Sequence, residues 1–66
     1  MKNRIRVERA EEGMTQQQLA DAVGVSRQTV HAIETGRFVP STVLALKIAR
    51  RFRKPVEQIF QLEEGE

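Results

Sequence analysis

Apolar residues recur along the chain at helical spacing, and residues that typically begin or end helices separate the apolar sets. The clearest set is Leu44, Ile48 and Phe52, which are four residues apart and so share one face of a helix. Shorter sets of the same kind lie at residues 19–23, 30–33 and 56–60. No segment alternates apolar and polar residues for long enough to predict a strand. The pattern therefore predicts an all-α fold of five short helices.

The residues between the apolar sets predict where the helices begin and end. We expect helices at about residues 4–12, 16–23, 27–34, 42–53 and 55–60, followed by a tail. Four residues are suited to cap helix N-termini: Asn3, Thr15, Ser26 and Ser41. Gln18 follows Thr15 at the spacing of a capping box. Three glycines are suited to end helices: Gly13, Gly24 and Gly36.

The length of 66 residues predicts a single domain spanning residues 1–66, with a core so small that helix packing or a dimer must support it. The chain has no Cys and one His, which excludes disulfides and thiolate metal sites. Residues 1–56 carry eleven Lys or Arg and five acids, a charge of +6, whereas residues 57–66 carry four Glu. A basic body with an acidic tail favours a polyanionic partner.

The residue inventory argues against several other classes of protein. We expect no enzyme activity, because no Cys is present, no Ser has a nearby base and the acids do not converge by spacing. No pattern indicates a cofactor, a metal or a small-molecule ligand. The N-terminus lacks the apolar run of a signal peptide, and no stretch is long enough to span a bilayer, so we expect a cytoplasmic protein without a membrane partner.

Residues 16–35 have the spacing of a helix-turn-helix. Ala20 is small where the two helices would cross, Gly24 allows a sharp turn, and Val30 and Ile33 would hold the second helix against the first. The opposite face of that second helix would then present four residues: Arg27, Gln28, His31 and Ala32. Arg can bridge guanine O6 and N7, and Gln can bridge adenine N6 and N7, so this face favours base reading over a merely solvated surface.

The chain resembles the lambda repressor/Cro-type (Xre family) helix-turn-helix regulators, in particular their minimal single-domain members. The resemblance covers residues 4–60 and rests on these segments: Met14-Thr15-Gln16, Leu19-Ala20, Val23 to Val30, Ile33-Glu34, Gly36, Pro40-Ser41, Leu44 to Ala49 and Ile59-Phe60. It implies a lambda-repressor-like domain that binds palindromic operator DNA as a homodimer, with the third helix in the major groove.

The resemblance also implies roles for individual residues. Three match base-contacting positions: Arg27, Gln28 and Ala32. Seven are expected at the DNA backbone or the groove wall: Gln16, Gln17, Ser26, Thr29, His31, Arg37 and Phe38. Arg9 and Glu34 match an ion pair that joins the first helix to the third. Independently of the resemblance, four apolar residues near the C-terminus are expected to form partly core and partly a dimer interface, because so small a domain has few other places to bury them: Val56, Ile59, Phe60 and Leu62. The alternative is that they form core alone.

Two departures from the family pattern affect packing. Glu8 occupies a position on the first helix where the family has an aliphatic residue, so either Val7 packs in its place or the helix is rotated. Arg53 and Lys54 replace the usual glycine-containing end of the fourth helix. The expected function is a transcriptional regulator, a repressor of a few operons that include its own. The alternative is an antitoxin-type module that neutralises a partner protein and regulates its own synthesis.

Overall fold

The computed structural model describes residues 1–66 and contains five helices and two very short strands. In chain order the elements are β1 (Lys2–Asn3), α1 (Ile5–Glu12), α2 (Gln16–Val23), α3 (Arg27–Glu34), α4 (Thr42–Phe52), α5 (Val56–Ile59) and β2 (Phe60–Gln61). The five predicted helices are confirmed, with ends that agree to within about one residue.

The capping residues of α2, α3 and α4 act as their sequence predicts. At α2 the Thr15 hydroxyl accepts a hydrogen bond from the Gln18 amide at 3.0 Å, and the Gln18 side chain accepts one from the Thr15 amide at 2.9 Å. Ser26 and Ser41 cap α3 and α4 in the same way, each accepting from an amide at 3.1 Å. These bonds satisfy amides that a helix start leaves without a partner, so local sequence sets where each helix begins.

Several predicted helix boundaries differ from the structure, among them the C-cap of α3, which is Thr35 and not Gly36, and the end of α5, which is Ile59 and not Phe60. Asn3 lies in β1 and Arg4 takes the N-cap position of α1, although the Asn3 side chain still accepts a hydrogen bond from the Ile5 amide at 3.2 Å. The helix α4 ends at Phe52, because Arg53 adopts a left-handed conformation with φ of 58°. Pro55 is the N-cap of α5 and not its first residue.

The core is one cluster of twelve buried apolar residues to which every helix contributes. They are Ile5, Met14, Leu19, Ala20, Val23, Val30, Ile33, Ile48, Ala49, Phe52, Ile59 and Phe60. Ala20 has no exposed surface where α2 packs against α3. Gly24 ends α2 with φ of 78°, a conformation that favours glycine, and this turn sets the angle between the two helices.

The only sheet is a pair of two-residue strands at the two ends of the chain, which the sequence pattern did not predict. The strands β1 and β2 pair in antiparallel orientation, with Lys2 opposite Gln61 and Asn3 opposite Phe60. The Arg4 amide continues this contact by donating to the Ile59 carbonyl at 2.9 Å. Two-residue strands are too short to show an alternating pattern, and their pairing depends on the helices that bring the two ends together.

Glu8 and Lys54, which both depart from the family pattern, contact each other. The Glu8 side chain is only 5% exposed, and its carboxylate accepts a hydrogen bond from Lys54 Nζ at 2.7 Å. This bond raises the pKa of Lys54 above its ordinary value. Val7 is exposed, so the expectation that Val7 packs in place of Glu8 is wrong. The left-handed Arg53 turns the chain so that Lys54 reaches the buried carboxylate.

Candidate nucleic-acid interface

The helix α3 presents one face to the core and the other to solvent. Val30 and Ile33 are buried, whereas Arg27, Gln28 and His31 are exposed and Ala32 is half-buried. The side chains of Arg27 and Gln28 make no hydrogen bond within the chain, so their donors and acceptors are available to another molecule. The structure therefore brings the three predicted base-contacting residues to one solvent-facing surface.

The N-terminus of α3 is held by a small polar cluster. The Ser26 hydroxyl accepts from the Thr29 amide at 3.1 Å and lies 3.0 Å from the Thr29 hydroxyl. Ser26 is exposed and Thr29 is half-buried. Both hydroxyls are thus engaged with each other and fix the first turn of the helix from which Arg27 and Gln28 extend.

Gln16 connects the start of α2 to α3 through its side-chain amide. Its Nε2 lies 3.2 Å from Nδ1 of His31 and 3.4 Å from the Glu34 carboxylate. Gln16 is half-buried and His31 is exposed, so this contact lies at the rim of the α3 surface. These hydrogen bonds hold Gln16 beside α3. The sequence pattern does not predict this contact.

Beneath Gln16, the Arg9 guanidinium and the Glu34 carboxylate form a two-bond ion pair. Arg9 Nε and Nη2 donate to the two carboxylate oxygens at 2.6 and 3.0 Å, and Nη1 donates to the Met14 carbonyl at 2.8 Å. The hydrogen bonds to Glu34 raise the pKa of Arg9 above its ordinary value. One side chain thus joins α1, the α1–α2 turn and the C-terminal end of α3.

The loop after α3 is anchored through its backbone. The amides of Arg37 and Phe38 both donate to the Ala32 carbonyl, at 2.9 and 3.2 Å, and both side chains are exposed. The Arg37 side chain makes no hydrogen bond within the chain. Gln17, by contrast, donates from Nε2 to the Asp21 carboxylate at 2.8 Å on the surface of α2.

Asn3, which the sequence predicts only as the N-cap of α1, also contacts α3. Asn3 Nδ2 donates to the Ile33 carbonyl at 2.9 Å, a carbonyl in the last turn of α3 that also accepts from the Gly36 amide at 3.1 Å. No local signal in the sequence indicates this bond, since 30 residues separate its partners. Asn3 also pairs with Phe60 in the contact between β1 and β2.

The four residues of the C-terminal apolar cluster lie in different environments. Ile59 has no exposed surface and Phe60 is buried, so both belong to the core of the protomer. Val56 is half-buried against the core, and Leu62 is 75% exposed. Only Val56 and Leu62 therefore offer substantial surface to another molecule.

Two further features of the surface bear on function. No group of three or more His, Cys, Asp or Glu side chains is placed to hold a metal ion. None of the five helices is both long and apolar enough to cross a membrane.

Comparison with known proteins agrees with this geometry. A family model described as "Helix-turn-helix" matches residues 5–59. The chain is 52% identical over 64 residues to an uncharacterized HTH-type transcriptional regulator of Bacillus subtilis, YgzD, and covers 97% of each chain. It is 51% identical over 65 residues to an uncharacterized HTH-type regulator of Methanothermobacter thermautotrophicus, covering 97% of this chain and 94% of that one.

A solved structure gives the same result. The restriction-modification controller protein C.AhdI of Aeromonas hydrophila superposes with a TM-score of 0.79 at 32% identity, covering 86% of each chain. The helix pair of α2 and α3, its exposed α3 surface and these relatives lead to one conclusion: the chain belongs to the Xre/lambda repressor-type helix-turn-helix family of DNA-binding transcriptional regulators.

Proposed function

We propose that this protein binds a palindromic operator as a homodimer and represses a few operons, its own among them, in the cytoplasm. The observation that carries the proposal is the exposed face of α3, where Arg27 and Gln28 have no partner within the chain. A buried face of Val30 and Ile33 fixes the orientation of that helix. Rigid presentation of two base-reading side chains favours recognition of a defined sequence over general attraction to DNA.

In this proposal α3 enters the major groove with its N-terminal residues towards the bases. Arg27 bridges O6 and N7 of a guanine, Gln28 bridges N6 and N7 of an adenine, and Ala32 lies against a thymine methyl group. Base-edge contacts of this type supply the preference for one sequence, and each can be tested separately.

Contacts to phosphates fix the position of α3 in the groove. Gln16 and Gln17 lie at the N-terminus of α2, where backbone amides favour an anion. Arg37 and Phe38 project from the loop beside the C-terminal end of α3. Ser26, Thr29 and His31 line the groove wall in this arrangement. The hydrogen bonds from Gln16 to His31 and Glu34 support the proposal, because they hold Gln16 against the reading helix.

A homodimer places two copies of α3 on half-sites about 34 Å apart, one turn of the duplex. The protomer measures 33 by 22 by 20 Å, so two protomers side by side have the dimensions to reach both half-sites. Repression then results from occupation of an operator that overlaps the start of a gene. The gene that encodes this chain is the first candidate target.

The test is fluorescence anisotropy with duplexes that tile the upstream region of the gene, against scrambled duplexes, at several salt concentrations. Arg27→Ala is expected to cost about 1–3 kcal/mol at the cognate duplex and to relax the preference at one base pair. Arg37→Ala is expected to weaken all duplexes equally and to reduce the salt slope by about one. Arg53→Ala, which removes an exposed arginine from the far end of α4, is the control for charge alone.

An unchanged ratio between cognate and scrambled duplexes in Arg27→Ala would show that Arg27 does not read bases. Equal, weak and strongly salt-dependent binding of every duplex by the unsubstituted protein would refute sequence-specific binding as a whole. In that case a search for a protein partner becomes the next experiment.

A further inference from the structure

The side-chain amide of Gln16 uses both of its N–H groups within the protomer. Its Nε2 lies 3.2 Å from Nδ1 of His31 and 3.4 Å from Oε1 of Glu34. An amide nitrogen carries two hydrogens, so two acceptors at these distances account for both of them. The group that Gln16 still offers to another molecule is its carbonyl oxygen Oε1, which accepts hydrogen bonds and donates none.

The Glu34 carboxylate fixes the orientation of this amide. Both carboxylate oxygens accept hydrogen bonds from Arg9, at 2.6 and 3.0 Å, and they would repel the Gln16 oxygen if it took the place of Nε2. Gln16 is therefore the donor in its contact with His31, and Nδ1 of His31 is the acceptor. An imidazole that accepts at Nδ1 is neutral and carries its proton on Nε2.

This arrangement leaves no donor for the phosphate contact proposed for the Gln16 side chain. Phosphate oxygens accept hydrogen bonds, so one of the two N–H groups must be released before Gln16 can bind a phosphate. The Glu34 carboxylate accepts hydrogen bonds only, whereas a histidine stops accepting at Nδ1 when it takes up a second proton. Histidine gains or loses that proton between about pH 5 and 8, so His31 is the partner that can let go.

The charges around His31 favour this change when DNA is bound. The charged residues of α2, of α3 and of the loop that follows, with the one bonded to them from α1, are Asp21, Arg27, Glu34, Arg37 and Arg9. Glu34 is neutralised by Arg9, and Asp21 accepts from Gln17. The unpaired charges are therefore the cations Arg27 and Arg37, and a phosphate brought to this surface supplies the negative charge that favours a protonated histidine.

We propose that His31 is a positioning residue for Gln16: neutral His31 withholds the Gln16 amide from the DNA backbone, and protonated His31 releases one of its N–H groups to a phosphate. A proton on Nδ1 faces the N–H of Gln16, so the amide must leave His31 or turn over. Turning over would place its oxygen against the Glu34 carboxylate, and an N–H becomes free in either case. The inference rests on the proposed function, which places Gln16 at a phosphate, and it adds that operator binding takes up protons.

Binding that takes up protons weakens as the pH rises, because ligand and proton each favour the form that the other binds. His31 is the only histidine of the chain. The N-terminal amine of Met1 is the other group that ordinarily titrates near neutral pH, and its hydrogen bond to Glu66 raises its pKa. The pH profile of operator affinity just below neutrality therefore reports on His31.

The first experiment uses the protein without DNA, so that its outcome is independent of operator binding. Nuclear magnetic resonance follows the ring of His31 and the side-chain amide of Gln16 between about pH 5.5 and about pH 8. We expect the Gln16 amide signals to shift with the same midpoint as the ring, and His31→Phe to abolish the shift. The Gln17 amide is the control in the same spectra, because it donates to Asp21 and not to a histidine.

The second experiment measures by fluorescence anisotropy how much Gln16→Ala weakens operator binding at two pH values and one ionic strength. We expect a loss of at least about tenfold at about pH 6, the effect of one hydrogen bond to a charged group, and of less than about twofold at about pH 8. Adding Gln16→Ala to His31→Phe is expected to cost the same at both pH values, because the phenyl ring has no acceptor to hold the amide. Gln17→Ala is the matched control, with a cost that does not depend on pH, and circular dichroism checks the fold of each variant.

A cost of Gln16→Ala that is the same at both pH values would overturn the proposal, since a direct contact of His31 with phosphate gives that result. Gln16 amide signals that stay fixed while the His31 ring titrates would overturn it as well. Equal binding of cognate and scrambled duplexes by the unsubstituted protein would refute the proposed function instead, and the titration without DNA still decides whether His31 controls the Gln16 amide.

Discussion

The ion pair between Arg9 and Glu34 is expected to be the electrostatic contact whose disruption lowers the free energy of unfolding most. Its side chains are 14% and 3% exposed, and two short hydrogen bonds join them. Glu34→Ala would leave the Arg9 guanidinium in a largely buried position with only the Met14 carbonyl as a partner. The structural cost of the substitution is thus the burial of a charge that has lost its counter-ion.

The expected loss of stability in Glu34→Ala follows from the burial of the pair. Removing one partner of a buried pair costs about 3–5 kcal/mol, and because Arg9 is partly exposed we expect the lower end of this range, about 3 kcal/mol. A domain of 66 residues has a free energy of unfolding of about 3–10 kcal/mol, so the substitution removes a large share of it. The expected decrease in Tm is more than about 10 °C.

The assay is urea unfolding followed by far-ultraviolet circular dichroism, since the chain has no Trp or Tyr to report by fluorescence. Protein concentration is held constant, because a dimer makes apparent stability depend on it. Glu12→Ala is the matched control: Glu12 ends α1 as Glu34 ends α3, and its pair with Arg51 at 3.1 Å is exposed. An exposed pair contributes at most about 1 kcal/mol.

The double variant Arg9→Met, Glu34→Leu removes both charges, and so separates the effect of losing the ion pair from the effect of leaving Arg9 buried without a counter-ion. It is expected to recover most of the stability that Glu34→Ala loses, because no unpaired charge then remains buried. Equal losses in Glu34→Ala and Glu12→Ala would refute the reasoning. A double variant no more stable than Glu34→Ala would refute it too, and would assign the effect to packing.

Two further predictions concern the turns and the second buried carboxylate. Gly24→Ala is expected to cost about 1–2 kcal/mol through the left-handed backbone conformation alone, because no atom lies within 4 Å of the added Cβ. Arg53→Gly is expected to stabilise the protein, because Arg53 is a non-glycine residue in the same conformation. The urea midpoints of the two variants test both expectations, and a stabilising Gly24→Ala would contradict the first. Lys54→Met is expected to lower the urea midpoint, because the buried Glu8 carboxylate loses its only side-chain hydrogen bond and keeps only the longer ion pair with Arg4 at 3.8 Å. Adding Glu8→Leu is expected to reverse the loss, and a further decrease in the double variant would disprove the compensation.

The helices could be predicted from the sequence because their starts and ends are determined locally. Thr15, Ser26 and Ser41 each bond to an amide three residues along the chain, so four consecutive residues contain the whole signal. The exposed face of α3 could also be predicted, since Val30 and Ile33 fix which side of the helix is buried. The assigned DNA contacts remain predictions.

Contacts between distant residues could not be predicted in the same way. Glu8 and Lys54 each looked like an isolated departure from the family pattern, although 46 residues apart they form one hydrogen bond. Two departures of opposite charge from the family pattern in one chain indicate that the two residues contact each other, because a buried charge requires a partner. Ile59 was expected at a dimer interface from its apolar character alone, but hydrophobicity does not distinguish a protomer core from an interface.

The pairing of β1 with β2 has a consequence for the order in which the molecule assembles. Thr15 and Gln18 are three residues apart, and α2 and α3 are neighbours in the chain, so the helix-turn-helix forms through short loops. Lys2 must meet Gln61 across almost the whole chain, and closing so long a loop has a larger entropic cost. We therefore expect the hydrogen bond from Asn3 to α3 to form after the helix-turn-helix, so that α3 takes shape before this contact is in place.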